Sequence, residues 1–256
     1  MHPILLQIGP ITLYTYGLFY ALGIFAGSYI FHKKVVQYKV KIAPHELDNL
    51  LFIIVVGIIF GARLMYVMLD IKNYIQSPLK VFALWEGGMF YQGGLVGGIL
   101  GGYIYVRYKK LPVLKLCDSA APAIALGHSV GRIGCFFAGC CYGKVTTSPL
   151  HVIFTHPQTL APRNTPLVPT QIYSFLLNFL LFIFLFFKKQ HFEGENFSLY
   201  LVLSSLIRFY LEFLRGDWRG ITVICGFTIT HVISMLTFFV GIFLYIIWKR
   251  RSSLLL

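Results

Sequence analysis

Residues 127–143 read GHSVGRIGCFFAGCCYG. This run decides how the chain folds, because it sets His128, Arg132 and three cysteines among small residues, between segments apolar enough to lie in a bilayer. An arginine at membrane depth costs roughly 2.5 to 3.5 kcal/mol even on the lenient insertion scale, so a chain that keeps one there has a use for it. Gly127, Gly131, Gly134, Ala138 and Gly139 permit close helix approach, or broken helix whose N–H groups face a polar ligand. An anion beside Arg132 fits either form.

The flanks of this run are those of a membrane protein. Hydrophobic residues make up 57% of the chain, charged residues 12%, and the mean hydropathy is +0.73. The charges fall between long apolar runs instead of alternating along helix faces. Seven such runs, near 14–31, 47–69, 89–106, 116–137, 169–187, 198–214 and 224–248, can each cross a hydrocarbon layer of ~30 Å with about 20 helical residues. The expected fold is an all-α membrane protein, a seven-transmembrane-helix bundle forming one integral domain over 1–256. Residues 1–10 lack the basic start of a secretory signal, so no cleaved leader is expected and the first run stays as a span.

Loop charge sets the orientation. Lys33, Lys34, Lys39, Lys41, Arg107, Lys109, Lys110, Lys115, Lys188, Lys189, Lys249, Arg250 and Arg251 fall on one side; Lys72, Lys80, Lys144, Arg163, Arg215 and Arg219 fall on the other. Thirteen against six makes the first side cytoplasmic, with the N-terminus out and the C-terminus in. The net charge of +13 would point a soluble protein toward nucleic acid. Here topology accounts for it, and no nucleic-acid partner is expected.

Three of the 22 basic residues, Arg63, Arg132 and Arg208, are left inside spans. By the topology each lies in the outer part of its span, with Arg215 at the outer mouth of the sixth. Four guanidiniums are thus expected to converge at one depth. Their planar fork of donors suits phosphate, and phosphates at that depth belong to phospholipids.

The third span carries two small-residue ladders, Gly93, Gly97, Gly101 and Gly94, Gly98, Gly102, at the spacing that lets helices pack backbone to backbone. The polar segment 144–168 reads as an outward cap or lid. In R-F-Y-L-E-F-L-R, Arg208 and Glu212 share a helical face and Arg215 follows three residues on. That face is either a self-neutralising structural ion pair or a catalytic one, with Glu212 orienting the arginines or moving a proton. His128 stands one turn before Arg132, as a packing residue or a general base. Cys135, Cys140 and Cys141, with Cys117 and Cys225 elsewhere, do not match a zinc spacing. Buried free thiols or a disulfide on the outer side are the readings they allow, and no metal or cofactor is expected.

Several landmarks resemble, in order and over nearly the whole chain, the prolipoprotein diacylglyceryl transferase family. They are I-G-P-I-T-L-Y-T-Y-G-L at 8–18, G-A-R-L-M-Y-V at 61–67, G-G-M-F-Y-Q-G-G-L-V-G at 87–97, G-R-I-G-C-F-F-A-G-C-C-Y-G at 131–143, P-T-Q-I-Y at 169–173 and R-F-Y-L-E-F-L-R at 208–215. The resemblance implies a multi-pass enzyme of the bacterial cytoplasmic (inner) membrane. It implies transfer of a diacylglyceryl group from phosphatidylglycerol to the lipobox cysteine of a prolipoprotein signal peptide, forming a thioether and releasing glycerol phosphate. It further implies that Tyr16, Arg132, Gly143, Arg208, Glu212 and Arg215 are site positions; Arg63 joins the lipid-phosphate set on the topology alone. The chain departs from the family pattern where Gln92 replaces a histidine proposed as the base, Cys135 and Ala138 replace asparagines, Cys140 replaces a glutamate, and Val168 and Ser174 replace a histidine and a glutamate. Glutamine cannot take a proton at neutral pH, so either the base has moved, with His128 the candidate, or the chemistry differs; Gln92, His128, Cys135 and Cys140 form the altered part of the site. A same-fold enzyme with a different acceptor, a phospholipid or anion transporter, and a thiol-redox or metal membrane protein are the rival readings.

Overall fold

The computed structural model describes residues 2–8, 11–83, 88, 90–217, 222–224 and 227–254. Arg219, Cys225, Gly87 and Met89 lie outside the described residues. The chain divides into two compact units, Met1–Tyr38 with Leu114–Leu256, and Lys39–Val113.

Long helices lie over all seven apolar runs. In the first unit they are α1 (Thr15–Gln37), α5 (Val113–Ala138), α6 (Thr170–Phe187), α7 (Glu195–Leu214) and α8 (Ile229–Ser253). The second unit has α2 (Pro44–Leu69), the short α3 (Ile71–Gln76), a 3-10 turn (Pro78–Phe82) and α4 (Tyr91–Tyr108). Among the described residues, α2, α6, α7 and α8 are long and apolar enough to cross a membrane by length and composition. Among the described residues three two-stranded antiparallel β pieces, not expected from the sequence, accompany these helices: β1 (Ile4–Ile8) with β2 (Ile11–Tyr14) before α1, β3 (Val152–Ile153) with β4 (Pro166–Leu167) between α5 and α6, and β5 (Thr222–Ile224) with β6 (Phe227–Thr228) between α7 and α8.

In the second unit the glycine ladders pack α4 onto α2. A β-carbon on Gly57 would stand 2.6 Å from the Gly97 carbonyl oxygen, and one on Gly61 would strike the carbonyl of Gly93. The ladder on Gly94, Gly98 and Gly102 takes the side chains of Ile58 and Ile54. Both stripes therefore serve packing. Pro44 opens α2 at a position where its missing N–H costs nothing.

In the first unit, Ala121 and Ala125 of α5 meet Leu181 and Leu185 of α6, all buried, with Leu199, Leu203 and Ile207 of α7 against them. The α1–α5 crossing is close at Gly23 and Gly127, where a β-carbon on Gly23 would come within 2.9 Å of the opposing carbonyl. The start of α7 is closed from a distance. Asp118 of α5, wholly buried, accepts the N–H of Gly194 at 2.6 Å, the N–H of Phe197 at 2.9 Å and the Gln190 amide at 2.5 Å. A carboxylate there satisfies amide groups that a helix N-terminus leaves without partners and opposes its positive dipole end. Lys34, also wholly buried, donates to the Phe186 carbonyl at 2.6 Å and lies 4.5 Å from that residue's ring centroid. Its ammonium thus closes the C-terminal end of α6.

The segment 144–168 is a small folded cap. Phe154, Ala161 and Leu167 form its buried core, with Tyr142 and Val152 packed on them. Val145 pairs with Leu167 across the cap's own ends, and the pairing of Gly143 with Arg215 ties its start to the end of α7.

Candidate active site

The end of α5 builds the centre of the site. Gly139 has φ +74°, and the N–H groups of Gly139 and Cys140 bond the carbonyls of Phe136 at 3.3 Å and Cys135 at 3.2 Å. This is the Schellman closure of a helix, in which the residue two beyond the end folds back over the last turn. Here the residues brought together are cysteines: the Cys140 thiol points to the Cys135 carbonyl at 3.7 Å. Cys141, at φ +59°, turns the chain again, and the Sγ atoms of Cys135, Cys140 and Cys141 all lie within 4.8 Å of one another. The turn is anchored from α6, where the Thr170 hydroxyl donates to the Cys141 carbonyl at 2.7 Å and the Gln171 amide to the Cys140 carbonyl at 2.8 Å.

Cations surround this turn. Arg132 on α5 directs Nε and Nη2 at His128 Nε2, at 3.1 and 2.9 Å. The ring nitrogen that would serve a general base therefore faces a guanidinium. Arg208 on α7 lies within electrostatic reach of His128, and its Nη2 is 3.1 Å from Glu212 Oε2. Glu212 is held in turn by the Thr228 hydroxyl, 3.1 Å from Oε1, where Thr228 caps α8 together with His231. Arg215 is buried; it grips Asp217 through Nε at 2.8 Å and Nη2 at 2.7 Å and also bonds the Cys141 thiol. Burial works to lower the Arg215 pKa, but the Asp217 bonds outweigh it and hold the guanidinium above its ordinary value. Hydrogen bonds from Cys135 and Cys140, then the charges of Arg215 and Arg132, pull the Cys141 thiol down. The Cys140 thiol is pushed up, first by its hydrogen bonds to Cys135 and Cys141.

Gly143 sits where the cap meets the helices. Its N–H donates to the Val168 carbonyl at 3.1 Å, and a β-carbon would run into that same oxygen. Tyr16, in the first turn of α1, is exposed, has its ring centroid 5.5 Å from that of Tyr20 in a tilted pair, and lies within electrostatic reach of all three thiols. Of the residues singled out from sequence, Tyr16, His128, Arg132, Cys135, Cys140, Gly143, Arg208, Glu212 and Arg215 thus belong to one unit and one chain of contacts.

Arg63 and Gln92 belong to the other unit. Gln92 is exposed in the first turn of α4. Arg63 is buried and donates to the carbonyls of Lys80 at 2.5 Å, Val81 at 2.9 Å, Gly88 at 3.1 Å and Ala83 at 3.2 Å. Those four carbonyls engage the fork that was expected to meet phosphate: within its own unit Arg63 braces a turn, while Arg132, Arg208 and Arg215 gather in the other unit.

Gln171 carries no charge anomaly in the sequence and emerges only from the structure. It lines a hollow of about 70 Å³ with Arg132, Ile133, Phe136, Ile172 and Phe175. Its Oε1 is buried with no hydrogen-bond partner among the described residues. Such an orphaned acceptor is an exception to the rule that buried polar atoms are paired, and the hollow itself is walled by apolar surface. The place of Gln171 in P-T-Q-I-Y was the available signal. Asp217 and Thr228 emerge from the structure as well, because their roles depend on contacts across turns.

Residues 3–247 match the family model described as prolipoprotein diacylglyceryl transferase. Over 255 residues the chain is 39% identical to the phosphatidylglycerol--prolipoprotein diacylglyceryl transferase of Clostridium tetani, covering 99% of this chain and 100% of that protein. It is 35% identical to a second such enzyme from Clostridium perfringens, covering 98% and 97%, and 31% identical to that of Geobacter sulfurreducens, covering 98% and 96%.

Proposed function

Since this chain belongs to the prolipoprotein diacylglyceryl transferase family, we propose that it moves the diacylglyceryl group of phosphatidylglycerol onto the lipobox cysteine of prolipoprotein signal peptides. The chain is a transferase. Its product is a thioether, and glycerol phosphate leaves. The observation that carries this reading is the gathering of Arg132, Arg208 and Arg215 around His128 and the cysteine turn. Expelling a phosphate requires fixed positive charge where negative charge develops, and guanidiniums placed in advance supply it without reorganisation.

In this reading Arg132 and Arg208 bind the lipid phosphate, Glu212 sets the angle of Arg208, and Arg215 with Gly143 holds the outer wall of the site. Tyr16 lies beside the sulfur of the incoming peptide. The seven long helices all cross the bacterial cytoplasmic membrane, N-terminus out and C-terminus in, as the distribution of basic residues favours. The two compact units work as a single catalytic domain, since the family match runs through both.

The test is transfer of labelled lipid from phosphatidylglycerol to a lipobox peptide by the purified full chain. Wild type forms the thioether, and R132A and R208A lose about 10²- to 10³-fold in rate while remaining folded. Folded wild type that makes no covalent product would overturn the reading, and R132A-sensitive movement of intact lipid across liposomes would replace it with transport.

A further inference from the structure

Three thiols meet beside the arginines, and the reaction concerns a fourth thiol. The sulfurs of Cys135, Cys140 and Cys141 lie within 4.8 Å of one another. A tetrahedral zinc site with Zn–S bonds of about 2.3 Å spaces its sulfurs by about 3.8 Å, a gap that small side-chain rotations close. Cys135 is buried, whereas Cys140 and Cys141 are only partly so, which leaves one flank of the cluster open. Among the described residues no histidine or carboxylate completes the set. Three ligands and an open position are the pattern of a catalytic zinc site, where a structural site would be closed by four.

We propose that Cys135, Cys140 and Cys141 hold a zinc ion whose open fourth position takes the acceptor thiol of the prolipoprotein; this deepens, and rests on, the transferase reading above. Soft thiolate donors favour zinc over the harder divalent ions. A thiol that coordinates zinc gives up its proton, here to water, and becomes a nucleophile at neutral pH. The sulfur then attacks the terminal glyceryl carbon of the lipid. A C–S bond forms, the C–O bond to phosphate breaks, and its electron pair leaves on the oxygen of glycerol phosphate. No redox partner is needed. The charges also match: three thiolates on Zn²⁺ leave one negative charge and a bound fourth leaves two. The guanidinium of Arg215 bonds Cys141, and that of Arg132 lies within electrostatic reach of it. The site supplies activation of the acceptor in a chain where Gln92 cannot act as a base.

The experiment titrates Co²⁺ into the metal-free full chain in phosphatidylglycerol nanodiscs. One equivalent gives the visible bands of a tetrahedral ion and sulfur-to-cobalt charge transfer in the near ultraviolet. C135S, C140S and C141S lose these bands with unchanged helical circular dichroism, and C117S, outside the cluster, keeps them. A lipobox peptide shifts the visible bands, and its Cys→Ser analogue does not. Chelation lowers lipid transfer at least tenfold and one equivalent of Zn²⁺ restores it. Folded wild type without the bands, bands indifferent to the peptide thiol, or full transfer by metal-free protein overturns the zinc site and leaves the transferase reading standing. Bands that respond to the peptide thiol in a chain that transfers no lipid do the reverse: they uphold thiol binding and remove the transferase reading.

Discussion

His128 Nε2 lies 3.1 Å from Nε and 2.9 Å from Nη2 of Arg132, one helical turn further along α5. A guanidinium has only donors, so the imidazole meets it with its lone pair and fixes the plane of the fork. His128 is thus a positioning residue for Arg132. H128A lowers kcat about 10- to 100-fold, the worth of a hydrogen bond to a charged group. H128N, whose amide oxygen still accepts, recovers part of that loss, and the acid limb of the kcat/KM profile survives in both variants. An acid limb that disappears in H128N would make the histidine the base instead.

Arg63 braces four carbonyls around the 3-10 turn at Pro78–Phe82, with its guanidinium 5.4 Å from the Tyr74 ring centroid and 5.8 Å from that of Tyr66. Removing it strands four carbonyl acceptors at once, that of Ala83 buried and the others partly so. R63A costs about 2 to 4 kcal/mol and lowers Tm in detergent, with KM for phosphatidylglycerol unchanged in the folded fraction. A raised KM at constant Tm would return this residue to the lipid site.

A methyl group at Gly97 would be forced against Gly57 and Gly61 of α2, whereas one at Gly17 of α1 meets nothing within 4 Å. G97A therefore destabilises the fold by about 1 to 3 kcal/mol, as overpacking does. G17A is neutral or stabilising by up to about 1 kcal/mol. Thermal unfolding of the two variants reads the contrast directly, and equal Tm values would show that the α2–α4 contact yields.

Asp118 accepts three N–H groups at the entrance to α7. D118N turns part of that acceptor into a donor facing donors. A loss of about 1 to 3 kcal/mol is expected in unfolding, with kcat per folded molecule unaffected. Hydrogen exchange localises the effect, as the amides of the first turn of α7 should exchange fastest in the variant.

Hydropathy alone placed every long helix, because a 20-residue apolar run has few other uses. The ends were less legible. The last apolar run was expected from 224, yet α8 starts at Ile229, since Thr222–Ile224 and Phe227–Thr228 pair as strands and Thr228 caps the helix. Short strands beside spans use the same isoleucines and leucines as the spans, so composition cannot separate them. Arg132, Arg208, Glu212 and Arg215 stood out because charge inside apolar sequence is anomalous wherever it points. What each charge faces is set across the chain: Arg63 finds carbonyls around position 80, and Asp118 finds amides after position 190. Such partners leave no local pattern. The turn at Gly139 was readable in principle, since glycine followed by two cysteines just past a helix end dictates that sulfurs pile up there.

Asp118 and the Gly194 amide that it receives are 76 residues apart in sequence, and the acceptor comes first. A chain made from its N-terminus therefore carries the stopper before the opening exists. When the ribosome releases the start of α7, its bare amides need not wait for a later segment or borrow lipid headgroups, because the carboxylate that seals them has already been synthesised.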